Sequence, residues 1–199
     1  MTQGLRIVVA DDEADMRDYF KQILPELGHE VVGAATNGRE LVERCHELHP
    51  DLVVTDIKMP ELDGIDAAGE IYNDRPVPVI LVSAYYDPEL FDRAEQDHIL
   101  AYLVKPIKRG DLAPAIAIAT QRFAQFKALR TEANSLRQAL EDRKIIERAK
   151  GILMLRASLS EPDAFRRLQK LARDQNRKLV DIAQMIVTAE KALQPAEGV

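Results

Sequence analysis

The strongest constraint on this chain is a recurring pattern of short apolar runs of strand length, two of which close on aspartate. Leu5 to Ala10 runs into Asp11-Asp12-Glu13, and Leu52 to Thr55 runs into Asp56. Val77 to Val82 is a third such run, Val31 to Ala35 a weaker one, and Ala101 to Val104 a fifth. Runs of this kind suit strands buried on both faces of a sheet, and helix-compatible segments separate them. In Ala14 to Leu27, for example, Met16, Tyr19, Phe20, Ile23 and Leu27 share a helical face and Gly28 is placed to end the helix. Strict alternation of strand and helix predicts an α/β domain over residues 1–120, a doubly wound five-strand parallel sheet with its active groups at the carboxyl ends of the strands.

After Asp111 the strand signal stops, and nearly everything to Leu193 is compatible with helix. The helix that follows the fifth strand is expected to run on as a connector over residues 121–142. Phe126, Ala133 and Leu140 fit one core position of a heptad and Leu129 and Leu136 the other, with Arg122 and Arg143 as interruptions. This reads as a dimerising coil, or alternatively as an amphipathic helix packed on its own domain. Over residues 143–195 three apolar stripes predict a small three-helix bundle, since no one helix buries its face alone. They are Ile145, Ala149, Ile152 and Leu153; Ala164, Phe165, Leu168, Leu171 and Ala172; and Leu179, Ile182, Ala183 and Ile186. Ser160-Glu161-Pro162-Asp163 is an N-terminal capping pattern, and Asn176 is a natural stop. Pro195 to Val199 is a polar end.

Charge divides the chain in the same place. Its net charge is −6, but between Arg143 and Lys191 twelve Lys or Arg stand against six Asp or Glu, so that this segment carries +6 and the remainder −12. An acidic body therefore bears a basic tail, which keeps nucleic acid among the possible partners. No stretch reaches the roughly 20 apolar residues of a membrane helix and the N-terminus lacks the regions of a signal peptide, so a soluble cytoplasmic protein with no membrane partner is expected. The single cysteine, Cys45, reads as a buried or inert thiol.

If the strands are as assigned, Asp11, Asp12 and Asp56 emerge at one edge of the sheet. Three clustered carboxylates repel one another unless a cation neutralises them, and Mg²⁺ suits such a site because it takes one or two carboxylates and keeps waters and phosphate oxygens. A carboxylate is also a nucleophile toward phosphorus. Lys105 ends the fifth run and offers positive charge to a phosphoryl group, and Ser83 ends the run before it and offers a hydroxyl. Composition alone does not establish the constellation, because strands of α/β domains often end in aspartate and lysine before proline is common.

Four segments in order settle the comparison with known families: Val9-Ala10-Asp11-Asp12-Glu13, Thr55 to Gly64, Val82-Ser83-Ala84 and Tyr102-Leu103-Val104-Lys105-Pro106. Together they closely resemble the receiver domains of two-component response regulators. The resemblance implies a flavodoxin-like fold and phosphorylation by a sensor histidine kinase or phosphotransfer protein. It implies Asp56 as phosphoacceptor, with Mg²⁺ held by Asp11, Asp12, Asp56 and the backbone carbonyl of Lys58. Ser83 and Lys105 would contact the phosphoryl oxygens, Tyr102 would be the aromatic switch residue, and Pro106 would follow a cis peptide bond. Glu13 reads as a solvated or helix-start acid.

The tail has its own resemblance. Ala149 to Met154, Ser160 to Phe165, Asn176-Arg177-Lys178-Leu179 and Asp181-Ile182-Ala183 resemble the ANTAR domain, named for the AmiR and NasR transcription antitermination regulators. It implies binding to RNA stem-loops in nascent transcripts; a homodimer is expected on phosphorylation through the helical connector. Lys150, Arg156, Arg177 and Lys178 are the candidate RNA contacts; a solvated basic helix face is the alternative for each. Phe165 lies on an apolar stripe and reads as core rather than as a base-stacking platform. Gly151 costs a helix about 1 kcal/mol relative to alanine, which a close contact with a helix or with RNA would explain. Two other outputs fit a receiver followed by helices: a DNA-binding transcription factor, disfavoured because no helix-turn-helix is evident, and a protein-binding adaptor. An enzymatic output is not expected, because the tail holds no histidine, cysteine or clustered carboxylates.

Overall fold

The computed structural model describes residues 4–84 and 99–193. Strands β1 (Arg6–Ala10), β2 (Glu30–Ala35), β3 (Leu52–Asp56), β4 (Val79–Ser83) and β5 (Ile99–Val104) alternate with helices α1 (Ala14–Glu26), α2 (Gly38–Leu48) and α3 (Gly64–Asp74). The helix-compatible segment between the fourth and fifth apolar runs lies outside the described residues, as does the polar end at Pro195 to Val199. All strand pairs are parallel, in the order β2-β1-β3-β4-β5.

The period-2 geometry of the strands explains why their sequences read as unbroken apolar runs. Ile7, Val9, Leu52, Val54, Ile80 and Val82 pack on one face of the sheet with Phe20, Ile23 and Leu24 of α1. Val8, Ala10, Val53, Val79 and Leu81 pack on the other face with Leu41 and Cys45 of α2 and Ile65, Ala68 and Ile71 of α3. Strand β2 is one of the two edges of the sheet and its side chains are mostly only half-buried, which accounts for its weaker apolar run. Burial pushes the Cys45 thiol up to about 12, so it is inert as a nucleophile at neutral pH.

Three caps fix where the helices start and stop. Asn37 accepts the Glu40 N–H at 2.8 Å, and the Glu40 carboxylate returns to the Thr36 N–H at 2.8 Å. Asp63 accepts the N–H groups of Ile65 and Asp66 at the head of α3. Gly28, at φ 86°, ends α1.

The fifth strand leads into α4 (Arg109–Ala157), a single 49-residue helix followed by α5 (Glu161–Asp174) and α6 (Leu179–Leu193). Packing divides the chain into two units, Met1–Ala128 and Leu129–Val199, so α4 contributes to both. In the first unit, Leu112, Ile116 and Ala119 of α4 join the core beside α1. The connector and the first tail helix are thus one continuous helix. Along it Leu129, Leu136 and Leu140 are 65, 60 and 58% exposed.

In the second unit, Ala149, Leu168, Ala172, Ile182, Ala183 and Val187 form a core of three helices, with Ile145, Ile152, Leu153, Leu171 and Leu179 at its margin. Ser160 caps α5, and Asn176, at φ 51°, ends the turn after it. Phe165 departs from its expected place: it is 37% exposed and belongs to no core cluster. It lies one residue off the Ala164-Leu168-Ala172 stripe, about 100° around the helix. Ala183 is fully buried where small side chains let helices approach. Ala183→Leu is expected to destabilise this bundle by about 1–3 kcal/mol through overpacking. Thermal unfolding monitored by helical circular dichroism checks this, and a wild-type midpoint would contradict the packing described.

Candidate functional site

The carboxyl edge of the sheet gathers the charged residues. Register pairs Ala10 with Thr55, so Asp11 and Asp56 leave the adjacent strands β1 and β3 at one level; across β4, Asp56 is level with Leu103, and Lys105 follows two residues later at the end of β5. The Lys105 N–H donates to the Ser83 carbonyl at 2.8 Å, and the Lys105–Pro106 peptide bond is cis. From there the Lys105 ammonium reaches Asp56 Oδ2 at 2.8 Å, Asp11 Oδ2 at 2.9 Å and Glu13 Oε1 at 3.2 Å. Asp11 and Asp56 are both buried, whereas Asp12 and Glu13 are exposed.

Local backbone contacts hold these carboxylates. Asp11 Oδ1 accepts the Glu13 N–H at 3.0 Å, and Asp56 Oδ1 accepts the Lys58 N–H at 3.4 Å. From α1, the Arg17 guanidinium donates to the carbonyls of Asp11 and Asp12 at 2.8 and 2.9 Å and fixes the acidic loop. Gly64, at the start of α3, donates its N–H to the Ile57 carbonyl, and a Cβ there would lie 2.0 Å from the Asp56 carbonyl oxygen.

Burial and charge shape the ionisation of the pair. Burial pushes Asp11 up from the ordinary carboxylate range; Lys105 and the Glu13 N–H oppose this, and the Asp56 charge adds to it. For Lys105, burial disfavours the ammonium, but the hydrogen bond to Asp56 and the contact with Asp11 outweigh it and hold the group above its ordinary value. Lys105 is therefore a fixed positive charge at neutral pH.

Asp11, Asp12, Glu13 and Asp56 each offer an oxygen within 4.8 Å of the others. Asp11 Oδ2 is buried and has the Lys105 ammonium 2.9 Å away as its partner. A hard all-oxygen donor set, two of whose carboxylates are buried, fits Mg²⁺. Ser83 is buried at the end of β4, and Tyr102 is half-buried on β5 opposite Leu81. From the sequence Glu13 reads only as a solvated or helix-start acid, and nothing in it marks Arg17.

The four candidate RNA contacts are not gathered in one place. Lys150 is only 8% exposed, and its ammonium lies 2.7 Å from Glu161 Oε1 and 2.9 Å from Glu147 Oε2, 5.8 Å from the centre of the Phe165 ring. Arg156 is paired with Glu190 at 2.8 Å across α4 and α6. Arg177 and Lys178 are exposed in the turn after α5, about 20 Å along that helix from Glu161. A Cβ at Gly151 would meet nothing within 4 Å, so no packed helix accounts for this glycine.

A parallel sheet in this order, with buried carboxylates and a lysine at its carboxyl edge, defines a receiver domain. Residues 7–117 match the response regulator receiver domain, and residues 134–187 match the ANTAR domain. The transcriptional regulatory protein PdtaR of Mycobacterium tuberculosis is 43% identical over 183 residues, 92% of this chain and 89% of that protein. The chemotaxis protein CheY of Thermotoga maritima is 40% identical over 57% of this chain and 95% of its own length. Among solved structures, a response regulator receiver domain protein from Clostridium thermocellum superimposes with a TM-score of 0.56 at 32% identity, over 61% of this chain and 98% of its own. The receiver domain of NarL from Mycobacterium tuberculosis gives 0.57 at 28% identity, over 60 and 98%. This chain belongs to the response regulators that join a receiver domain to an ANTAR domain. Among the described residues no helix is long and apolar enough to cross a membrane.

Proposed function

We propose that this chain is a cytoplasmic response regulator that takes a phosphoryl group on Asp56 from a sensor histidine kinase or phosphotransfer protein and, in response, binds RNA stem-loops to control transcription antitermination. The observation that carries this reading is the Lys105 ammonium held between the buried carboxylates of Asp56 and Asp11. A carboxylate oxygen of Asp56 attacks phosphorus; the new O–P bond forms as the bond to the donor's leaving group breaks, leaving an acyl phosphate. Asp11, Asp12, Asp56 and the Lys58 carbonyl would hold Mg²⁺, which when bound supplies positive charge for the phosphoryl oxygens.

Lys105 then transfers its ion pair from Asp56 to the phosphoryl group, and the Ser83 hydroxyl moves to donate to it. Tyr102 fills the space that Ser83 vacates, which makes it the switch. Glu13 is the third carboxylate on Lys105 and Arg17 anchors the loop beneath, so both act as positioning residues. Phosphorylation favours a dimer through the exposed side chains of Leu129, Leu136 and Leu140. Arg177 and Lys178 remain in the proposed RNA surface, whereas Lys150 and Arg156 have their charges spent on protein carboxylates.

Incubation with acetyl phosphate and Mg²⁺ is expected to yield one acyl phosphate per chain by intact mass, and none after chelation of the metal. Sedimentation of the phosphorylated chain is expected to show a dimer that Leu136→Glu returns to monomer. Label that persists without divalent metal would remove the proposed site chemistry, and an unchanged monomer fraction would remove the coil.

A further inference from the structure

On the reading that the tail binds RNA, we propose that the RNA lies along the outer surface of α5, with Arg166, Lys170 and Arg173 on its phosphates and Phe165 stacked on an unpaired base. Ala164, Leu168 and Ala172 turn to the core of the bundle. At 100° per residue, Arg166, Lys170 and Arg173 fall roughly half a turn away, at steps of about 6 and 4.5 Å along the axis. All three are exposed, as is Arg177 in the turn that follows the helix.

Charges three or four residues apart on a helix surface can pair with one another. Those on this ridge largely do not. Arg166 has Asp163 at 3.0 Å, an exposed pair of the weak kind that a phosphate can displace. Lys170 and Arg173 have no hydrogen-bond or ion-pair partner among the described residues. The contrast with Lys150 and Arg156 is direct, since phosphate contact by either would break an existing ion pair.

Phe165 supplies an independent observation. Its ring lies outside the core cluster although the bundle is small and short of apolar surface. Lys150 holds its ammonium 5.8 Å from the ring centre and is itself fixed by Glu147 and Glu161, so the ring is braced from one side. A braced, part-exposed ring on the same helix as a row of exposed cations is what recognition of an unpaired loop requires: stacking for the base and charge for its backbone.

The two kinds of contact give separable signals. The probe is the tightest hairpin that the full-length wild-type chain retains, with acetyl phosphate present, from a pool of RNA hairpins with randomised loops. Replacing Arg166, Lys170 and Arg173 together by glutamine is expected to lower the log–log salt slope by about 2 and the affinity about 100-fold at about 0.1 M salt, since each phosphate contact on a single strand contributes roughly 0.7 to the slope. Phe165→Leu is expected to lower affinity about 5- to 150-fold with the salt slope unchanged, and Phe165→Tyr to retain binding because it keeps the ring. Circular dichroism confirms that each variant keeps wild-type helical content. Unchanged affinity and slope in the folded triple variant would overturn the phosphate ridge. Wild-type affinity in folded Phe165→Leu, or equal loss in Phe165→Tyr, would overturn the stacking role. If the wild-type chain retains no hairpin at all, the RNA reading itself fails, an outcome distinct from either.

Discussion

Asp56→Asn leaves the chain unable to form an acyl phosphate, whether the donor is acetyl phosphate or a kinase. The amide is nearly the same size as the carboxylate, and at the end of β3 it keeps the same neighbours, so the fold survives. What it loses is the nucleophile, because the amide oxygen has neither the charge nor the electron density to attack phosphorus. It also removes the charge that Lys105 pairs with at 2.8 Å, which leaves Asp11 and Glu13 as the remaining ion-pair partners of that ammonium. The expected stoichiometry by intact mass falls from one phosphate per chain to none. Full labelling of a folded Asp56→Asn protein would assign the phosphate to another residue.

Gly64→Ala is expected to damage the same site from the side of the fold. The added Cβ would lie 2.0 Å from the Asp56 carbonyl oxygen and 3.0 Å from its carbonyl carbon, and backbone atoms cannot turn aside as a flexible side chain does. Either α3 withdraws, breaking the 2.8 Å bond from the Gly64 N–H to the Ile57 carbonyl, or the end of β3 shifts and carries Asp56 away from Lys105. Overpacking of this kind costs about 1–3 kcal/mol and sometimes more. Urea unfolding should show that loss, and the initial rate of phosphorylation should fall with it. Native stability together with a native rate would mean that the close approach is not real.

The sequence made the receiver legible because its three central strands are buried on both faces. Ile7 to Ala10 and Leu52 to Val54 have no solvent side, so they appear as unbroken apolar runs, and their ends mark the carboxyl edge where Asp11 and Asp56 stand. Lys105 was legible as the residue that follows the fifth apolar run, although β5 is an edge strand and only half-buried.

Residues whose role depends on a distant partner were not legible. Glu13 reads as a helix-start acid until Lys105, 92 positions later, is placed 3.2 Å from it. Lys150 reads as an exposed cation because its sequence gives no sign that Glu161, on another helix, comes within 2.7 Å. Phe165 was misplaced by spacing alone, since a residue adjacent to an apolar stripe looks like part of it until the bundle shows which side is filled. The continuity of α4 was legible only in part: a helical connector was expected, but its fusion with the first tail helix reflects the lack of any stop signal between Arg143 and Ala157 strong enough to end a helix, Gly151 included.

The central claim is that the state of Asp56 governs RNA binding by the tail. It is tested most directly by equilibrium binding of a selected RNA hairpin to the full-length chain at fixed salt, with and without acetyl phosphate, and with Asp56→Asn alongside. Masking by the receiver and dimerisation through α4 both predict the same direction: affinity rises on phosphorylation, by about 5- to 150-fold if the coupling is of ordinary size, and the rise is absent in Asp56→Asn. Equal affinity of the phosphorylated and unphosphorylated wild-type chain for that hairpin would contradict the account.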